Sequence, residues 1–258
     1  MRFDLISDIH IDKWDTEFQT NWAKTKKSDI CVIAGDISDN ITQTVEELRE
    51  LASLYTHVIF IEGNHEHQHY WPDFNFAPEY LKNKLSKISN VHYIYNDIFV
   101  LDKVAFIGKC GWWDFKFAEP LVSEKVGRDR FIQDKFDICD EIANKSNEEF
   151  QYLFDNINLL QFNSDIEKIV VVTHTAPLPK FISPGEYPPW PEYSAFQGNI
   201  NMPMVVDIDF RKKIKAWVFG HNHDQKKDIY KGILFLSNPR GRPTDYNREV
   251  YFPIVIEI

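Results

Sequence analysis

Short apolar runs rich in Val, Ile and Phe recur along the chain and stop abruptly at polar residues or glycine. The stretches "FDLIS", "ICVIAG", "VIFIEG", "KVAFIG", "KIVVVTH", "AWVFGH", "ILFLSN" and "IVIEI" read as buried strands. Amphipathic stretches lie between the early ones. "TQTVEELRELASLY" sets Val45, Leu48, Leu51, Ala52 and Tyr55 on one face and Glu46, Glu47, Arg49 and Glu50 on the other. "APEYLKNKLSKI" and "NEEFQYLFDNINLL" follow the same pattern. Strands that alternate with helices predict a largely parallel, covered sheet. "HYIYNDIFVLDKVAFIG" differs: its close-spaced strands around Asn-Asp predict an antiparallel hairpin. The expected class is therefore a mixed α/β fold with a second sheet or an antiparallel edge.

Two segments break this rhythm. Residues 112 to about 145 mix aromatics with many charges and predict a helical excursion from the sheet. Residues 175 to about 205 are rich in proline and leave a strand end at His174. A loop of that length inside a compact domain is usually functional or disordered. Its aromatics (Phe181, Tyr187, Trp190 and Tyr193) favour an ordered loop near a site. No repeat, low-complexity tract or linker divides the chain, so one domain is expected over residues 1–258.

Composition narrows the function classes. A content of 43% hydrophobic and 15% aromatic residues supplies a substantial core. Lys and Arg number 29 against 39 Asp and Glu, a net charge of −10, which excludes the basic surface needed to wrap long nucleic acid. Cys31, Cys110 and Cys139 are widely spaced and form no zinc-knuckle pattern, as expected of reduced, buried thiols. The chain opens directly on a strand, without a signal-peptide pattern, and no apolar run approaches the roughly 18 residues that span a bilayer. A soluble, cytoplasmic protein without a membrane partner is expected.

The chemistry sits where the strands end. "FDLISDIH" closes on Asp8 and His10, "ICVIAGD" on Asp36, "VIFIEGNHE" on Asn64, His65 and Glu66, "VVVTH" on His174, and "WVFGHNH" on His221 and His223. Each piece alone has an ordinary reading as a turn, a helix cap or a packed histidine. Five such endings in one chain are far less expected by chance, and strand carboxyl ends in α/β sheets converge on one rim. Carboxylates, imidazoles and an amide oxygen without thiolate suit Mn²⁺, Fe or Zn²⁺. Seven donors exceed one tetrahedral ion but suit two ions that share a carboxylate. Such a pair, roughly 3.5–4 Å apart, generates a nucleophile from water and clamps a phosphoryl oxygen.

Asp-x-His, Gly-Asp, Gly-Asn-His-Glu, a lone His and Gly-His-x-His, in that order over residues 7–223, resemble the calcineurin-like metallophosphoesterase superfamily. The resemblance implies a four-layer αββα sandwich of two mixed sheets with a binuclear site at the carboxyl rim. It further implies Asp8, His10, Asp36 and His223 around one divalent ion, and Asn64, His174 and His221 around a second, with Asp36 between them. Mn²⁺ is the first expectation for both, with Fe or Zn²⁺ as alternatives. His65 matches the family's catalytic histidine, and Asp39 the acid that orients it; an N-cap for the next helix is the competing reading of Asp39.

Departures from the family pattern bear on the substrate. Protein serine/threonine phosphatases of the superfamily carry Arg where this chain has Asn40 and Glu62. "FIGKCGWWDF" and "LSNPRG" look like a group of bacterial and phage predicted phosphohydrolases. Arg240 reads either as a phosphate contact or as an ordinary turn residue. Trp112, Trp113 and Phe115 either stack a base or aryl group or cover a sheet edge. His67 and His69 are expected in solvent, with a substrate contact open to them. The expected activity is metal-hydroxide hydrolysis of a phosphate mono- or diester of a small or nucleotide-like substrate. A protein phosphatase, or a scaffold of this fold without catalysis, are the alternatives.

Overall fold

The computed structural model describes residues 1–15, 19–134, 137–183, 191–245 and 248–258. Eleven strands form two sheets. The first takes β1 (Arg2–Ile6), β2 (Ile30–Ala34), β3 (His57–Ile61), β4 (Val91–Tyr93) and β11 (Ile254–Glu257), in the order β11-β1-β2-β3-β4. Only the β11–β1 pair is antiparallel there. The second takes β5 (Ile98–Leu101), β6 (Val104–Lys109), β7 (Lys168–Thr173), β8 (Ile214–Phe219), β9 (Lys227–Tyr230) and β10 (Ile233–Ser237), in the order β5-β6-β7-β8-β10-β9. Its four inner strands are parallel, and both edge pairs are antiparallel.

Strand alternation decides what lies between the sheets. Phe3, Leu5, Val32, Ala34, Ile59 and Ile61 face Val104, Phe106, Val170, Val172, Ala216 and Val218 in one buried cluster. The opposite face of the first sheet packs on α2 (Ile41–Leu54) and α3 (Phe76–Leu85). Asn40 caps α2 by accepting from Thr42 N, and Ile41, Val45, Leu48 and Leu51 form its buried stripe. Burial of each such Leu contributes roughly 1.5–3 kcal/mol. The outer face of the second sheet packs on α5 (Cys139–Phe162) and α6 (Pro203–Asp207). The result is the expected four-layer αββα sandwich. The short α1 (Trp22–Thr25) and α4 (Glu124–Asp134) are the other α-helices of the described residues. Among the described residues no helix is long and apolar enough to cross a membrane.

The hairpin expected around Asn-Asp is not formed there. β4 pairs parallel with β3, while β5 already belongs to the other sheet. Ile94, buried between the sheets, marks the crossing. The two-residue hairpin turn lies one step on, at Asp102 and Lys103, between β5 and β6. Both turn residues have positive φ, 47° and 63°, matching the twist of the strands they join. β9 escaped the apolar pattern because all four of its residues are exposed.

The sheets meet again at the rim. Ser7, just past β1, bridges Pro239, just past β10. Asn238 is fully buried beside this bridge and donates to Leu5 O (2.8 Å) and Phe252 O (3.1 Å). The Asn-Pro-Arg-Gly stretch is thus a seam between the sheets.

Candidate metal centre

The strand ends do converge. Donor atoms of Asp8, His10, Asp36 and His223 lie within 4.8 Å of one another, and so do those of Asp36, His174 and His221. Asp36 belongs to both groups. Its Oδ2 lies 3.1 Å from His174 Nε2 and 3.9 Å from His10 Nε2, while its Oδ1 accepts from His65 N at 2.9 Å. Asn64 Oδ1 joins the second group, 3.1 Å from His174 Nε2 and 2.9 Å from His221 Nδ1.

Local backbone chemistry makes this crowding possible. Asp8, His10, Asp36, His221 and His223 all have positive φ, between 42° and 70°. Asp and His tolerate the left-handed region better than most residues, yet each such position costs about 1 kcal/mol or more. Strain concentrates where the donors are. The glycines matter for close approach: a Cβ on Gly63 would stand 2.1 Å from Asp36 Oδ1, and one on Gly220 2.3 Å from Asp8 Oδ2. Gly35 also needs its positive φ of 82°.

The rings are held from behind. His174 Nδ1 donates to Ala34 O (2.8 Å), His221 Nε2 to Phe196 O (3.0 Å), and His223 Nδ1 to Asp245 Oδ2 (2.5 Å). These bonds fix the orientation of each ring and turn its other nitrogen to the centre. His174 Nε2 then confronts two oxygens, His221 Nδ1 confronts Asn64 Oδ1, and His223 Nε2 stands 3.0 Å from His10 Nε2. At His221, whose Nε2 proton is committed to Phe196 O, the Nδ1 lone pair faces the Asn64 oxygen, an acceptor pair that positive charge between them would relieve. Asp8 Oδ2 is buried without a donor, which points the same way.

The ionisation of the centre agrees. Burial and the nearby Asp36 act oppositely on His10, and burial wins, holding the ring neutral well below its usual range. Burial and the adjacent His174 push His221 down to about 3. Burial alone would raise the Asp36 carboxyl, but His174, His65 and His10 around it hold it well below the usual carboxylate range. Burial lowers the His174 ring, but Asp36 and Asp8 beside it push it up to about 10, so the metal-free centre pairs an anionic carboxylate with a protonated His174 beside the neutral rings of His10 and His221. Such carboxylate and imidazole donors fit hard or borderline divalent ions, which would displace the His174 proton.

His65 stands beside this set, with Nε2 3.9 Å from Asp36 Oδ2. Its Nδ1 lies 2.5 Å from Asp39 Oδ1, and Lys13 Nζ lies 2.6 Å from Asp39 Oδ2. Burial opposes ionisation of Asp39, yet these two bonds hold its carboxyl at about 2. The helix cap read as the alternative for Asp39 falls to Asn40 instead.

Three expectations were displaced. Arg240 is buried, stacks 4.0 Å over Trp14 and donates to Arg248 O and Glu249 O, so it does not reach the rim; Arg242 does, with Nη2 2.8 Å from His65 Nε2. Trp113 is buried with Trp112 and Phe115 in an aromatic cluster and stacks on His221, centroids 5.7 Å apart, so these rings cover the site as core and offer no open stacking face. His67 is 1% exposed and packs edge-on against Trp112, whereas His69 is exposed as expected.

Glu66, Arg242 and Asp245 went unassigned in the sequence. Glu66 accepts from the backbone N–H groups of Gly63, Asp36, Ile37 and Ser38, tying two of the donor loops together. Its place in Gly-Asn-His-Glu was the available signal; Asp245 and Arg242 carried none. Of the Pro-rich segment, Phe181 is core and Tyr193 is partly exposed, while residues 184–190, with Tyr187 and Trp190, lie outside the described residues.

Known proteins resemble this chain in sequence and fold. An uncharacterised protein of Acanthamoeba polyphaga mimivirus is 25% identical over 261 residues, spanning 94% of this chain and 91% of its own. The phosphopantetheinyl hydrolase of Mycobacterium tuberculosis superposes with a TM-score of 0.74 at 18% identity, over 99% of this chain and 95% of its own. A dimetal phosphatase from Danio rerio does so with 0.52 at 15% identity, over 92% and 87%. These two likenesses concern the fold. The description of the calcineurin-like phosphoesterases matches residues 1–225, a span that contains every strand-end donor named above, and the chain belongs to that family.

Proposed function

We propose that the protein hydrolyses a phosphate mono- or diester of a small or nucleotide-like substrate, using two divalent ions held by Asp8, His10, Asp36, Asn64, His174, His221 and His223. The observation that carries this reading is the single carboxylate Asp36, which belongs to both donor groups. Bound there, the ions would supply Lewis acidity and a water activated near neutral pH. Mn²⁺ is the first choice for such oxygen and imidazole donors, with Fe or Zn²⁺ next.

The protein's own residues do the rest. His65, oriented by Asp39, is placed to stabilise or protonate the leaving oxygen. Asp39 keeps the Nδ1 proton in place and leaves Nε2 toward the reacting group. A small substrate is favoured over a phosphoprotein because Asn40 is spent on capping α2 and buried Glu62 on Tyr93 OH (2.7 Å). Neither position offers the cation that protein phosphatases carry there.

The test combines metal analysis with hydrolysis of nitrophenyl phosphate and bis-nitrophenyl phosphate, with Mn²⁺ or with chelator. Two ions per chain and Mn²⁺-dependent turnover are expected. Protein that stays metal-free in excess Mn²⁺ would sink the site, and loaded protein inert toward both esters would favour a scaffold. A panel of nucleotides, cyclic nucleotides, phosphopeptides and a phosphopantetheinyl ester then ranks substrates. Preference for a phosphopeptide over every small ester would reverse the substrate reading.

A further inference from the structure

The segment after β10 is fixed to the loop that carries Asp8. Arg240 N donates to Ser7 O (3.1 Å), Gly241 N to Asp8 O (2.9 Å), and Trp14 Nε1 to Gly241 O (3.0 Å). Gly241, with φ at 77°, turns the chain between two arginines of opposite fate. Arg240 goes inward onto Trp14, and Arg242 comes to His65. Arg242 N donates to Asp245 Oδ2 at 2.7 Å, the same carboxylate oxygen that holds His223. Arg242 is thus positioned by the framework that positions the donors.

Its guanidinium is poorly matched at rest. His65 Nδ1 is engaged by Asp39, so Nε2 meets Arg242 as a neutral acceptor. Among the described residues no carboxylate lies within ion-pair distance of this guanidinium, and its Nε is buried without a partner. Asp245 acts on Arg242 only from beyond ion-pair distance, and a cation that is partly withdrawn from water without a direct ion pair is a standing site for an anion.

We infer that Arg242 grips the phosphoryl group of the substrate, leaving His65 Nε2 for the non-bridging oxygens when the ester arrives. This rests on the phosphoesterase reading above. A bond from guanidinium to a charged oxygen is roughly twice as strong as one to a neutral acceptor, so the exchange is favourable. The planar fork meets two oxygens at once, which a point charge does not. The exchange also uncovers His65 Nε2 for the leaving oxygen. Arg242 therefore orients the ester and vacates His65 Nε2, which takes up a proton from solvent before it can give one to the leaving oxygen.

Inorganic phosphate is the probe. It is titrated by calorimetry into the Mn²⁺-loaded wild type and into Arg242→Met and Arg242→Lys, with metal content recorded for each. Arg242→Met is expected to bind phosphate about 10-fold or more weaker at unchanged metal content, given the usual strength of bonds between charged groups. Arg242→Lys recovers part of the loss, and KM for nitrophenyl phosphate rises in step with the phosphate affinity. Equal phosphate binding by wild type and Arg242→Met overturns the inference and leaves the hydrolase reading standing, as does a loaded wild type that binds no phosphate. A wild type that holds phosphate through Arg242 but turns over no ester keeps the grip and overturns the hydrolase reading. If Arg242→Met fails to fold, Arg242→Gln gives the same comparison.

Discussion

The five-stranded sheet brings Asp8, His10, Asp36 and Asn64 to the rim, whereas the six-stranded sheet brings His174, His221 and His223. All the oxygen donors come from the first, and the second supplies only imidazoles. The means of fixation differ as well. On the first sheet Glu66 gathers the N–H groups of the Asp36 and Asn64 loops, whereas Asp8 Oδ1 accepts from His221 N of the other sheet at 2.8 Å. On the second, each ring is aimed by a partner outside its strand: Ala34 O in β2, Phe196 O in the Pro-rich return, and Asp245 beyond β10. Of the candidate donors, Asp36 and Asn64 are held within one sheet's loops, Asp8 and His174 take their aim when the sheets dock, and His221 and His223 are held by segments outside the strands. The apolar layer between the sheets is therefore part of the site's construction.

The largest break comes from the one residue that both halves share. Asp36→Asn removes the central charge, so metal content and turnover should both fall, the rate by about 10³-fold or more. Metal analysis alongside nitrophenyl phosphate hydrolysis checks this, and a variant that keeps two ions would break the shared-carboxylate assignment. His65→Ala should keep the ions and lose about 10²–10⁴-fold in rate, the range of general acid catalysis. Its loss should shrink for esters with good leaving groups, which need little protonation. An equal loss for good and poor leaving groups removes the acid role.

The two modes of fixation can be separated by a matched pair. Asp245→Asn removes the charge behind His223, and changes of this kind typically lower metal affinity about 10–100-fold. Glu66→Gln acts on the other sheet, where a buried carboxylate loses bonds worth about 1.5–3 kcal/mol. The first should appear in a metal titration with little change in urea unfolding. The second should appear in unfolding of the metal-free protein. Identical profiles for the two variants would erase the distinction between locally and remotely fixed donors.

Legibility followed the same division. Eight strands and the stripe of α2 were readable because buried strands and amphipathic helices leave a period in the sequence. The convergence of the candidate donors was readable because they end strands of a recognisable series. Contacts made only by docking left no such trace. Nothing in "NPRGRPTD" distinguishes Arg240 from Arg242, since their directions follow from the turn at Gly241 and its bonds to Asp8 and Trp14, which form only in the fold. The crossing at Ile94 was missed for a related reason. Val91 and Tyr93 pair with β3 and Ile98 with β6, and no local pattern says that neighbouring strands join different sheets. His67 looked solvated in "HEHQHY" because its burial against Trp112 comes from a residue 45 positions on.

The smallest effect is expected at the seam itself. Asn238 contributes its side chain to Leu5 O and Phe252 O, and its Oδ1 accepts from Gln225 Nε2 at 2.9 Å. Its own carbonyl accepts from Ser7 N at 3.2 Å, one residue before the donor Asp8. Asn238→Ala removes a buried bond to Leu5 O and a part-buried one to Phe252 O and should cost about 1–3 kcal/mol in urea unfolding of the metal-free protein. The main-chain bond to Ser7 survives the change, and with it the placement of Asp8. Added Mn²⁺ should then stabilise wild type and variant by equal increments, because that increment depends only on metal concentration and affinity. A smaller increment in the variant would show that the side chain of Asn238 also aligns the donors, and the seam would then count with the six-stranded sheet's remote fixation.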